Sequence, residues 1–130
     1  MRKFLFIMLL PLVVLSCASE PPDLHDGLTP EQLVQKAQEC SDNYDYKWAL
    51  QYYAAIIEQY PANREFVCTA EYEIAFIHYK QEKYAEAKEE FNALLSRYDE
   101  GNIERELLPA QYVVLCKKML EKIADKLIVF

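Results

Sequence analysis

Residues 46–60 read YKWALQYYAAIIEQY, and residues 84–98 read YAEAKEEFNALLSRY. A shift of 38 positions superposes them. Tyr46/Tyr84, Ala49/Ala87, Ala55/Ala93 and Tyr60/Tyr98 are then identical, and Tyr53/Phe91, Ile56/Leu94 and Ile57/Leu95 exchange like for like. The matched positions recur at three- and four-residue spacing, which places them on one face of a helix. A fixed period between about 20 and 50 residues is the signature of a chain built from stacked units, each burying its apolar face against its neighbours. The body of this protein is therefore expected to be a helical repeat.

The second copy, taken with the helix before it, gives Ile74-Ala75 and then His78-Tyr-Lys-Gln-Glu-Lys-Tyr84-Ala-Glu-Ala87-Lys-Glu-Glu-Phe91. This pattern resembles the tetratricopeptide repeat (TPR), two antiparallel helices with small residues at their close crossing and an aromatic residue opening the second helix. On that template Ile74 and Ala75 fill the paired apolar and small positions of helix A. Tyr84 opens helix B, Ala87 takes its small site, and Phe91 and Leu94 form its core. The first copy supplies Tyr46, Ala49, Tyr53, Ile56 and a closing Pro61. The pitch of 38 exceeds the 34 usual for the family. The extra length falls at residues 61–66, where Asn63 is a candidate N-cap for the next helix.

Working outward, the expected helices are 1A (30–43), 1B (46–60), 2A (63–80) and 2B (84–98), with a final helix from about 103 into the 120s. Thr29-Pro30-Glu31-Gln32 carries an N-cap residue, a first-turn proline and the N3 partner of a capping box. In the last helix Ala110-Gln111-Tyr112 echoes Ala70-Glu71-Tyr72 at a shift of 40, marking a third A-type helix without a partner. Pro109 is expected to kink or restart it. The fold class is all-α, a TPR-like α-solenoid of about two and a half helical hairpins in residues 29–130. The closing Leu127-Ile128-Val129-Phe130 either folds back on the core or forms an exposed docking or dimerisation edge.

Composition agrees. The 130 residues include only two glycines, against an average usage of ~7%. That excludes turn-rich β folds and glycine-rich phosphate loops, which need positive φ or close backbone approach. Lys and Arg number 14 against 21 Asp and Glu, a net charge of −7, which opposes non-specific nucleic-acid binding.

At the N-terminus, Arg2 and Lys3 precede an apolar run from Phe4 to Leu15. Its twelve residues suit an export signal and are too few for a membrane-spanning helix. The run ends in Val14-Leu15-Ser16-Cys17, which resembles the lipobox of bacterial lipoproteins. The resemblance implies cleavage after Ser16 (residues 1–16 being the signal peptide), diacylglycerol on the Cys17 thiol and acylation of the new amine. Two or more acyl chains anchor a protein stably where one does not. Without Arg2 and Lys3 the net charge falls to −9. Ala18 and Ser19 after the cysteine resemble an outer-membrane sorting address, facing the periplasm. The other readings are an ordinary secretory signal or a buried N-terminal helix. Residues 17–28, with adjacent Pro21 and Pro22, read as a short stiff tether.

Candidate chemistry is sparse. His25 lies in the tether. His78 stands at an aromatic position of helix 2A, and His78 with Glu82 at i+4 is an incomplete metal set, so packing is expected and no metal or cofactor is assigned. No catalytic triad or dyad arrangement is present, and Glu86, Glu89, Glu90, Glu100, Glu104 and Glu106 interleave with lysines as solvated helix faces, so an enzyme is not expected. Cys40, Cys68 and Cys116 fit no zinc spacing and read as buried free thiols, with a Cys40–Cys68 disulfide the alternative.

The most informative surface is helix 2A. Beside its core stripe (Ile74, Ala75, Ile77, His78) runs a second apolar stripe of Tyr72, Phe76 and Tyr79, followed by Lys80. On the TPR template this second stripe lines the concave groove, and it is the candidate partner-binding site; packing against helix 1A or the last helix is the other account. The lipobox, the repeats and the pitch together resemble the BamD family, repeat-containing lipoproteins of outer-membrane β-barrel assembly, although that family carries about twice as many repeats. The function so implied is a membrane-anchored, non-enzymatic scaffold that binds a protein partner. A structural homo-oligomer and a companion of a periplasmic solute-binding or transport system are the alternatives.

Overall fold

The computed structural model describes residues 21–128. The expected signal peptide (residues 1–16), Cys17, Val129 and Phe130 lie outside these residues. The described chain is all-α: α1 (Pro30–Asp42), α2 (Tyr46–Gln59), α3 (Arg64–Lys80), α4 (Tyr84–Ser96) and α5 (Gln111–Ile128), with a 3-10 turn at Arg105–Leu107. Consecutive helices pack on each other, and α1, α3 and α5 touch in sequence as the A-type helices of a stack. The architecture is a TPR-like solenoid of two and a half hairpins.

The helix starts follow their local chemistry. Thr29 closes the capping box with Gln32, whose side-chain oxygen accepts from the Thr29 N–H at 2.9 Å. Asn63 caps α3 by accepting from the Phe66 N–H at 3.5 Å.

The repeat extends to the turns. Both hairpins close through a left-handed residue 38 positions apart, Tyr44 and Glu82, each with φ 62°. The Asp45 N–H donates to the Cys40 carbonyl at 2.8 Å, and the Lys83 N–H donates to the His78 carbonyl at 3.0 Å. These six-to-one bonds define a Schellman ending, in which the positive-φ site usually belongs to glycine. A side chain there costs of order 1 kcal/mol. Glu82→Gly is therefore expected to stabilise the domain by about 0.5–1 kcal/mol, visible as a higher melting temperature. A lower one would show that the Glu82 side chain contributes more than its backbone costs.

The core lies in two parts that meet at α3. Leu33, Ala37, Ala49, Tyr52, Tyr53 and Ile56 form the first, with Ala70 and Ile77 from α3. Cys68 and Ala75 of α3 join Ala87, Phe91, Leu94, Tyr112, Cys116, Met119 and Ile123 in the second. The matched positions Ala49/Ala87, Tyr53/Phe91 and Ile56/Leu94 are all buried. Ala55 is buried but its mate Ala93 is exposed.

Two stretches differ from expectation, and at the C-terminus one of two open alternatives is decided for Leu127 and Ile128. Residues 21–28 are not a free tether from Pro21 onward, because Pro21 and Leu24 are buried and Leu24 belongs to the first core. Asp23 pairs with Lys36 of α1 at 2.5 Å and accepts from Tyr52 Oη of α2, while Tyr60 Oη donates to the Leu28 carbonyl at 2.6 Å. Lys36 and Tyr52 hold the Asp23 carboxyl below its ordinary pKa. The final helix begins at Gln111 rather than near 103. Leu108 takes the extended backbone (φ −94°, ψ 143°) that the following Pro109 imposes, and the helix restarts after it. At the C-terminus Leu127 and Ile128 are 44% and 80% exposed, so these two do not fold back onto the core.

Candidate partner-binding groove

The stripe predicted on helix 2A is a ladder of rings on α3. Tyr72 stacks on Phe76 and Phe76 on Tyr79, each with centroids 6.2 Å apart and planes 11° apart. Helical spacing at i, i+4 and i+7 puts the three rings on one face, and all three are half-buried. Lys80 places its ammonium 5.1 Å from the ring centres of both Phe76 and Tyr46, and donates to Ser41 Oγ at 2.8 Å. It thus bridges α3 to the α1–α2 hairpin while its side chain remains exposed. Two cation–π contacts and a hydrogen bond hold that charge beside the aromatic stripe.

The four predicted residues are brought together, but they are not equivalent. Tyr72 also touches Phe91 (5.5 Å) and Tyr112 (5.6 Å), both buried, so it belongs partly to the second core. Burial pushes its hydroxyl pKa up to about 12. Tyr79 leans on Tyr84 at 5.5 Å. The ring contacts of Phe76 are with Tyr72, Tyr79 and the Lys80 ammonium, although Phe76 packs against the second core as well. Sequence reasoning missed Tyr46, assigned only to the repeat signature, and Glu73, one residue beyond Tyr72. The cue for Tyr46 was present, since it opens α2 directly after the turn that joins α1 to α2, close in sequence to Ser41.

Glu73, seven residues before Lys80 on the same helix, has perturbed electrostatics. Burial raises its carboxyl pKa above the ordinary 4.5, and Lys80 opposes the shift. A carboxylate with a raised native pKa binds protons more readily folded than unfolded, so stability falls as pH climbs from the ordinary carboxylate value through the raised one and stays lower above it. Glu73→Gln is expected to raise the melting temperature at neutral pH, with the gain vanishing below the ordinary carboxylate range. A gain that persists in acid would assign the effect to packing instead.

The remaining candidates sort as follows. Cys40, Cys68 and Cys116 are free thiols; Cys40 is only partly buried, against the first core, whereas Cys68 belongs to the second. Cys68 and Cys116 are buried in the second core, and burial pushes the Cys116 thiol up to about 11. His78 is buried, but its partners are Glu86 and Glu90 of α4 rather than Glu82, which occupies the left-handed turn position. These two glutamates are therefore not simply part of a solvated face. No helix among the described residues is long and apolar enough to cross a membrane.

No family model matches the chain, and no solved structure matches it. Over 99 residues it is 34% identical to an uncharacterised protein of Treponema pallidum (strain Nichols). The match covers 75% of this chain and 39% of that protein, so the chain spans about two fifths of its relative's length.

Proposed function

We propose that the protein is a lipid-anchored, non-enzymatic TPR adaptor of the bacterial envelope, holding a protein partner against α3. The supporting observation is the Tyr72–Phe76–Tyr79 ladder, flanked by Lys80 over Phe76 and Tyr46. Half-exposed aromatic rings beside a fixed cation offer large contact area at low conformational cost, the pattern of interface anchors. An apolar segment carrying a carboxylate suits this surface. Lipidation at Cys17, an outer-membrane address facing the periplasm, and a role in β-barrel assembly like that of the BamD family complete the reading. They rest on the lipobox and on the repeat pattern.

The test is site-specific photo-crosslinking from position 76 in the full-length, lipidated protein in its own cells. Recovery of the β-barrel assembly subunit supports the assembly role, and recovery of a solute-binding or transport protein moves the adaptor to transport. Self-crosslinks alone overturn the adaptor reading. They would favour a structural oligomer, for which the exposed Val114, Leu127 and Ile128 on α5 offer an edge.

A further inference from the structure

The hairpin α3–α4 carries a second constellation, independent of the groove. His78 stands four residues before the left-handed Glu82 and Glu86 four residues after it. An antiparallel hairpin pivoting on that turn brings the two to the same level, one helical turn from its tip. Glu90 lies one turn further along α4, on the same face as Glu86. Glu90 Oε2 stands 2.7 Å from His78 Nδ1, and Glu86 Oε1 stands 3.9 Å from Nε2. One donor atom from each of the three residues can be chosen so that all lie within 4.8 Å of one another.

The fold does not require these residues. In the first hairpin the positions 38 residues earlier are Cys40, Trp48 and Tyr52, which pack as ordinary core and near-core side chains. The same geometry is thus satisfied there by apolar and aromatic groups. Its replacement by one imidazole and two carboxylates calls for a further reason. Burial is graded in the manner of a ligand site: the His78 side chain is 10% exposed, Glu90 31% and Glu86 52%. The imidazole is fixed in the helix interface, and the carboxylates reach it from the wetter side.

The geometry points to a divalent transition-metal site at His78, Glu86 and Glu90, with Zn2+ as the best-fitting ion. Imidazole with carboxylates suits zinc and its neighbours, whereas calcium and magnesium prefer all-oxygen sets. Three protein ligands with water in the fourth position is the open tetrahedral arrangement. Donors ~2.0–2.1 Å from such an ion lie roughly 3.3 Å apart. The exposed Glu86 closes the present gap by side-chain rotation, and Glu90 yields its hydrogen bond to the ion. The bound ion would staple α3 to α4 across the open end of the second hairpin.

The test uses the full chain in detergent, titrated with Zn2+ by calorimetry and by thermal melting. Wild type is expected to bind one ion and to melt higher, with His78→Gln and, separately, Glu86→Gln weakening binding at least about tenfold. Cys40→Ser should bind as wild type does. Glu86 is exposed, so its variant keeps the test open if His78→Gln fails to fold. With Co2+, the spectrum should lack the intense thiolate charge-transfer band. No binding by wild type, undiminished binding by both ligand variants, or an equal response to Ca2+ would each overturn the site and leave an ion pair between His78 and its glutamates.

Discussion

Phe91→Ala is expected to destabilise the domain by about 3–5 kcal/mol, lowering its melting temperature by roughly 12 °C or more. Phe91 is fully buried, touches Tyr72, and sits in the core shared by α3, α4 and α5. Alanine there leaves a cavity that helices held at both ends cannot collapse. A domain of this size has about 5–15 kcal/mol in total, so the loss is a large share of it. Because stacked hairpins depend chiefly on their neighbours, the damage should fall first on α4 and α5. The α1–α2 hairpin keeps its own core of Leu33, Ala37, Tyr53 and Ile56. Circular dichroism on heating measures the loss, and hydrogen exchange locates it. A loss below about 1 kcal/mol would mean that the second core is loosely packed.

The second large effect is expected in binding. Phe76→Ala with Lys80→Ala should reduce partner capture at least about thirtyfold, since a truncated anchor costs ~2 kcal/mol or more. Melting should change far less than for Phe91→Ala, because Lys80 is exposed and Phe76 only half-buried. The stripe as read from spacing suggests Tyr72 as the companion substitution. The structure redirects that choice, because Tyr72 leans on Phe91 and Tyr112 and its removal would damage the core as well. The readout is the yield of the crosslinked partner from position 79, normalised to protein amount. Undiminished capture would remove the ladder from the interface and with it the adaptor reading.

Much of the fold was legible because repeated local chemistry has few solutions. The 38-residue shift, the small residues at Ala49 and Ala87, and the capping box at Thr29–Gln32 each prescribe a local conformation, and each is found as read. The α5 start was misplaced by eight residues because apolar residues such as Ile103 and Leu107 imitate a helix face. Both are exposed, and the backbone before Pro109 is extended.

The division follows from the range of the forces involved. Helix identity, hairpin period and the aromatic stripe depend on residues within a few turns of one another, so the sequence determined them by itself. Asp23 against Lys36 and Tyr52, Lys80 between Phe76 and Tyr46, and His78 between Glu86 and Glu90 join separate helices or a flanking segment. Such pairs leave no periodic trace. They exist because the left-handed turns at Tyr44 and Glu82 set the hairpin register, and the shared helix α3 sets what lies beside it.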